Sequence, residues 1–353
     1  MSTPEFVTVL KKDKKFDSYL DGSFSKTKRA ILQKSFYVNT DKEKATFLLF
    51  SKESIKWPNF LILLVKLFRV EWLSLSFGPA LACLSLLLVK GESVPMLFFV
   101  LSMASLFCFH AAVFALNDYK DHMAGSDRIN SLGGSQVIQS GWLTASFVKK
   151  LGAIMFSLGA LLGAYVLFNQ SWLFIGIITA VTILVLMYSY AGPNLKYIGF
   201  GEALAFLCFG PLIVFGVSTV LGNAMGLNEY LLSFLFGHLS FLIMQSRQIE
   251  NIISDSRSGA KSLVTLMGFD SAKKSIVLQI ALNWLFFGLF LFMLSPSKVA
   301  YVLLLPYGFY SFQIAKSVFS AQSPLSSDLK NLRYKMVDLH VLLSTFVFIS
   351  FWL

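Results

Sequence analysis

Residues 94–127 read VPMLFFVLSMASLFCFHAAVFAL followed at once by NDYKDHMAGSD. The first 23 residues are almost unbroken apolar chain, the length a helix needs to cross a bilayer. The next eleven bring Asn117, Asp118, Asp121 and Asp127, with Gly125 between the last two. Aspartate at the C-terminal end of a helix has the wrong sign for the helix dipole. A merely solvated helix end therefore explains this choice poorly.

The same kind of apolar block recurs. The chain has 353 residues, 56% hydrophobic and only 14% charged, more apolar surface than a soluble core of this size can hide. Blocks fall at roughly 72–89, 94–116, 145–168, 171–189, 200–222, 229–248, 275–295, 298–319 and 336–353, which predicts an all-α, polytopic membrane bundle of about nine transmembrane helices. Basic residues gather in alternate connections: the N-terminal segment, Lys120 to Lys150, Lys196, Arg247 to Lys274, and Lys330 to Lys335. The positive-inside rule then puts the N-terminus in the cytoplasm and the C-terminus outside a cell (inner) membrane. The net charge of +11 reflects this bias and an affinity for anionic headgroups. The bases are scattered over loops, which argues against a nucleic-acid partner. Cys83, Cys108 and Cys208 all lie inside apolar blocks and fit no zinc or disulfide spacing.

Two domains are expected. Residues 1–56 are polar and basic, either a disordered tail or short helices on the membrane surface, with FLLF at 47–50 hinting at the latter. Residues 57–353 form the membrane domain.

Three cytoplasmic stretches carry candidate chemistry. On a helix Asn117 and Asp121 share a face and Asp118 sits about 100° round. Their oxygens suit a hard cation, and Mg²⁺ typically takes one or two carboxylates plus phosphate oxygens. The second stretch is RQIENIISDSRSGAKSL, 247–263, where Arg247, Asn251 and Asp255 are spaced by four and share a helical face. Glu250 lies one step round, and Arg257 and Lys261 follow as phosphate-holding bases. An ion-paired surface helix is the plain alternative. The third, YSYAGPNLKYIGFGE at 188–202, holds Lys196 between Tyr190 and Tyr197 and ends on Glu202. Arg69 and Glu71 stand at the mouth of the first span. Ionisable groups within or at the edge of membrane helices are functional candidates by default. His110, His238 and His340 are more simply read as hydrogen-bonding to neighbours. Acids that hold metal, bases that hold phosphate and apolar helices that hold a lipid tail together suit ionisation of a polyprenyl diphosphate.

These stretches resemble the UbiA superfamily of intramembrane prenyltransferases, and more closely its MenA-like branch. NDYKDHMAGSD is similar to the branch's ND-Y-x-D-x-x-x-G-x-D; GGSQVIQSGWLT (133–144), YAGPNLKYIGFGEALAFLCFGPL (190–212), RVEWLSLSFGPALA (69–82) and SGAKSLVTLMG (258–268) resemble later and earlier motifs. The resemblance covers about residues 60–353. It implies a Mg²⁺-dependent transfer of a polyprenyl group from polyprenyl diphosphate to an aromatic, naphthoate-type acceptor, 1,4-dihydroxy-2-naphthoate in menaquinone biosynthesis. Asn117, Asp118, Asp121 and Asp127 would hold one Mg²⁺, and Asn251, Asp255 and Glu250 the other. Arg69, Arg128, Lys196, Arg257 and Lys261 would grip the diphosphate, and Tyr190 and Tyr197 would face the allylic cation. Asp121 and Lys196 count among the catalytic groups. One departure stands out: the family's second motif has two aspartates where this chain has Asn251 and Asp255. A catalytically silent isoprenoid- or quinone-binding relative, or a prenyltransferase with another acceptor, are the alternatives that this asparagine motivates.

Overall fold

A computed structural model describes residues 5–38, 40–54, 57–125, 134–168, 170–189, 199–257, 261–294 and 297–353. The chain forms two compact units: residues 1–70, 105–162 and 189–191 in one, and residues 71–104, 163–188 and 192–353 in the other.

The first unit begins with a surprise. Residues 5–51 are neither disordered nor helices on a membrane surface, as expected above. They form an antiparallel sheet of β1 (Glu5–Leu10), β2 (Lys28–Phe36) and β3 (Lys44–Ser51) in the order β1-β3-β2, with α1 (Phe16–Asp21) after the first strand. The reason is a period of two. Along β3, Ala45, Phe47 and Leu49 are buried while their neighbours are not, the alternation of a half-buried strand. FLLF belongs to that strand; contiguous apolar letters hid the alternation in burial. Val9, Ala30, Phe16 and Leu20 complete the small core over the sheet.

The sheet is built onto helices of the same unit. α2 spans Phe60–Leu67, and the motif-bearing helix α3 runs unbroken over Met96–Ala124. At 29 residues it is about 43 Å long, longer than a hydrocarbon core of ~30 Å. The acidic motif is thus the overhanging last two turns of a spanning helix. Gly125, at φ 93°, ends it in a conformation that glycine takes without strain. α4 (Ala145–Leu167) packs closely on α3. Ser105 Oγ donates to the Gly159 carbonyl at 2.8 Å, and a Cβ on Gly152 would lie 2.9 Å from Leu116 Cγ. Small residues allow this approach between membrane helices, where tight packing replaces the hydrophobic drive.

The second unit is built from helices joined by short connections. In chain order it holds α5 (Ser74–Val89), α6 (Trp172–Ser189, to residue 188), α7 (Gly201–Phe209), α8 (Pro211–Val220), α9 (Leu227–Glu250), α10 (Ile252–Arg257), α11 (Leu263–Met267), α12 (Phe269–Leu294), α13 (Leu304–Ser320) and α14 (Leu332–Ser350). α9 is the axis of its core, with Leu232, Leu235, Phe236, Leu239, Leu242 and Ile243 all fully buried. Against it stand outward faces as apolar as its centre: Phe292 is 74% and Phe309 65% exposed, which suits lipid and not water.

Helices occupy the described residues of the apolar blocks. Among the described residues six stretches are long and apolar enough to cross a membrane: 70–89, 96–124, 145–167, 201–220, 227–250 and 269–294. The fifth block departs from a plain span. It is two helices, α7 and α8, broken at Gly210, where Pro211 removes a backbone donor and starts a new helix.

Candidate active site

In the first unit the motif is built around an ion pair. Arg69 Nη2 donates to Asp118 Oδ1, with the two side chains 13% and 3% exposed. Asp118 Oδ2 accepts from the Ser135 backbone N–H at 2.9 Å, so one carboxylate gathers both a chain segment before the motif and one after it. The Arg69 guanidinium also lies 4.7 Å from the centre of the Phe114 ring, one turn back along α3, a favourable cation–π geometry. Arg69 itself has φ 48°. That left-handed backbone is costly for a residue with a Cβ, by about 1–3 kcal/mol, and such strain clusters at functional sites. His110 Nε2 hydrogen-bonds the Phe68 carbonyl at 3.1 Å and fixes the adjoining peptide.

Asn117 and Asp121 share a helix face as the spacing requires. Asn117 Nδ2 donates to Asp121 Oδ2 at 2.9 Å, which leaves the amide oxygen of Asn117 to act as an acceptor. Asp118 is buried and Asp121 half-buried. The donor set is all oxygen, the set a hard divalent cation takes. Among the described residues no three acidic, histidine or cysteine side chains form a ready cage. Mg²⁺ needs none, since it keeps waters and takes phosphate oxygens. Asp127 and Arg128 lie outside the described residues.

The sheet reaches this motif too. His122 Nε2 hydrogen-bonds the Leu20 carbonyl at 2.9 Å, and Met123 packs on the core over the sheet. Asp21 accepts from the backbone N–H of Ser146 and, at 3.1 Å, from its hydroxyl, which satisfies an open donor at the start of α4. Outside the spanning helices, partial burial lowers the Arg29 guanidinium below its usual value, against the pull of Asp21. Arg29 Nη1 donates to the Gly22 carbonyl at 2.7 Å.

In the second unit the expected continuous helix through Arg247, Asn251 and Asp255 is interrupted. α9 stops at Glu250, Asn251 is its C-cap, and α10 begins at Ile252. The backbone ladder still crosses the break: Asn251 N–H donates to Arg247 O at 3.2 Å and Asp255 N–H to Asn251 O at 2.9 Å. Glu250 is held elsewhere, by the Arg333 backbone N–H at 3.1 Å and by Arg333 Nε at 3.5 Å. Arg333 is a residue that sequence reasoning counted only toward membrane orientation. Lys261 is exposed. Tyr190, Lys196 and Tyr197 lie outside the described residues, as does the side chain of Arg257. Of the histidines, His238 bonds Asn283, whose amide oxygen accepts from Tyr307, and His340 packs against Phe236.

Residues 76–334 match the UbiA prenyltransferase family. The chain belongs to that family. It is a prenyltransferase and an integral membrane protein. A 1,4-dihydroxy-2-naphthoate octaprenyltransferase of Bacillus subtilis is 27% identical over 228 residues, 63% of this chain and 71% of that relative. A UbiA prenyltransferase domain-containing protein of Dictyostelium discoideum is 30% identical over 124 residues, covering 35% of this chain and 36% of its own length. The fold resembles a UbiA homologue from Archaeoglobus fulgidus bound to GPP and Mg²⁺, at TM-score 0.57 and 17% identity over 82% of this prenyltransferase and 99% of the homologue. It also resembles an apo UbiA homologue from Aeropyrum pernix at TM-score 0.59 and 14% identity, over 78% and 97% of the two chains.

Proposed function

We propose that this prenyltransferase moves a polyprenyl group from polyprenyl diphosphate to an aromatic acceptor of the naphthoate type, 1,4-dihydroxy-2-naphthoate, with Mg²⁺ as cofactor. The observation that supports it best is the gathering of Asn117, Asp118 and Asp121 at one helix end with Arg69 lodged against them. The similarity to the naphthoate octaprenyltransferase favours this acceptor class. Mg²⁺ bound there supplies charge neutralisation for the diphosphate leaving group.

Asn117, Asp118, Asp121 and Asp127 hold one ion in this reading, and Asn251 and Asp255 the other. Glu250 adds charge beside them while Arg333 holds it in place. Asp118 keeps lone pairs beyond the two that Arg69 and Ser135 use, so anchoring Arg69 and binding metal are compatible. Arg69, Arg128, Lys196, Arg257 and Lys261 bind diphosphate oxygens, Arg69 through a planar fork suited to them. Tyr190 and Tyr197 present ring faces to the allylic carbon as its C–O bond breaks. The diphosphate leaves with the bonding pair, the ring carbon of the acceptor bonds to the allylic carbon, and that ring carbon sheds its carboxylate as CO₂, whose bonding pair restores the aromatic ring. The N-terminal sheet lies in the cytoplasm, on the side where the diphosphate arrives.

The test uses the purified full chain in lipid nanodiscs with geranyl diphosphate and 1,4-dihydroxy-2-naphthoate. Transfer is expected to stop on adding EDTA, to return with Mg²⁺, and to fall at least a hundredfold in Asp121→Ala. Undiminished, EDTA-resistant transfer would refute the metal assignment. Binding of geranyl diphosphate without any product would favour a catalytically silent relative.

A further inference from the structure

Glu202 is the first acid of α7 and is 2% exposed. Both of its carboxylate oxygens lack a hydrogen-bond partner among the described residues. The Gln248 side chain and the Leu263 backbone come near without completing a bond of normal geometry. An unsatisfied buried acceptor costs about 1–3 kcal/mol, more when charged. A protein keeps such a group where something else satisfies it.

Its surroundings follow from how α7 meets α9. The two helices run antiparallel and touch at glycines: a Cβ on Gly210 would lie 2.3 Å from the Ser233 carbonyl, and one on Gly237 would lie 2.8 Å from Phe206 O. Eight residues from that contact, about 12 Å along each axis, α7 reaches Glu202 and α9 reaches Gln245. Gln245 is fully buried, and its Oε1 accepts from Gln279 Nε2 at 2.9 Å, while the same nitrogen bonds Ser275 Oγ at 2.9 Å. Its own Nε2 has no partner among the described residues, and neither does Gln248 Oε1, also buried. The glycine contact therefore sets against each other two helices that carry three orphaned acceptor atoms and one orphaned donor, about one turn before the second acidic motif.

The chemistry of those atoms selects the ligand. A prenyl diphosphate offers acceptors and negative charge, and would be repelled by a carboxylate. A magnesium ion would have to be stripped of water to sit between a lone carboxylate and amides. What fits is an aromatic ring that brings O–H donors and one acceptor oxygen, with its own carboxylate turned away from Glu202.

We infer that Glu202, Gln248 and Gln245 seat the hydroxyl groups of the aromatic acceptor, with Glu202 as the principal hydrogen-bond acceptor. This rests on the proposed transfer for its substrate class. The side chains fix the ring's orientation, and Glu202 discriminates hydroxyl-bearing rings from their ethers. A site built to bond a substrate hydroxyl rejects the analogue lacking it strongly, because its own buried groups then stay unpaired.

The experiment compares 1,4-dihydroxy-2-naphthoate with its 1,4-dimethoxy analogue on the full chain in nanodiscs, first as binding without prenyl diphosphate, then in turnover. The wild-type protein is expected to bind the dihydroxy ring at least tenfold more tightly. Glu202→Gln is expected to raise the KM of that acceptor at least tenfold, with the KM of geranyl diphosphate and the half-saturating Mg²⁺ unchanged. Gln248→Met, which removes one acceptor atom at similar volume, is expected to shift the same way by less and serves if Glu202→Gln does not fold. Equal binding of the two rings, or an unchanged acceptor KM in a folded variant, overturns the inference. Preferential binding without turnover by the wild-type protein would uphold the seat and overturn the transfer reaction instead.

Discussion

The Arg69–Asp118 pair permits a quantitative test of how the first motif is held. With the side chains 13% and 3% exposed, neither charge can recover its hydration when the other is removed. Breaking a buried pair by truncating one partner costs about 3–5 kcal/mol, whereas replacing both by apolar groups of similar volume is often close to neutral. Asp118→Leu strands the Arg69 guanidinium and frees the Ser135 N–H, whose bond at 2.9 Å is of the charged kind. Arg69→Met strands the carboxylate, still held by Ser135. The strained backbone at Arg69, φ 48°, is present with either side chain at 69, so it cancels. Each single change should therefore destabilise by about 3–5 kcal/mol, and the double change by less than their sum. A coupling of about 2–3 kcal/mol, the upper range for contacting groups, is expected. The assay is equilibrium unfolding by SDS in mixed micelles for all four proteins at two salt concentrations, since a buried pair is screened little. Additive single costs, or a coupling that vanishes at high salt, would refute the buried-pair reasoning.

Gly210→Ala forces a Cβ to within 2.3 Å of the Ser233 carbonyl and 2.6 Å of Gly237 Cα. Backbone must move apart, so a loss of about 1–3 kcal/mol or more is expected, read by the same unfolding assay, together with a raised acceptor KM. Asn251→Asp restores a second carboxylate to the second motif, and a lower half-saturating Mg²⁺ concentration in the transfer assay is the expected result; an unchanged value would place Asn251 away from the metal.

The apolar blocks and the first motif were legible because their signals are local. Twenty apolar residues cross a bilayer whatever their neighbours, and a spacing of four puts Asn117 and Asp121 on one helix face, where they bond. Gly125 marked the helix end because a positive φ is a property of one residue. The N-terminal sheet was missed. Its pairing runs from β1 to β3, Glu5 against Leu49 and Leu10 against Lys44, and partners about forty residues apart leave little trace beyond a weak alternation.

The sequence by itself determined a membrane-spanning helical chain with an oxygen-rich cation motif at a helix end, since length, hydropathy and helical spacing are fixed by the residues in order. Only the tertiary structure decided that Arg69 belongs to Asp118, that Glu250 belongs to Arg333, and that two glycines bring Glu202 toward Gln248. Ion pairs and close helix contacts join residues tens of positions apart. Burial then makes each choice of partner costly to change, and burial exists only once the chain has packed.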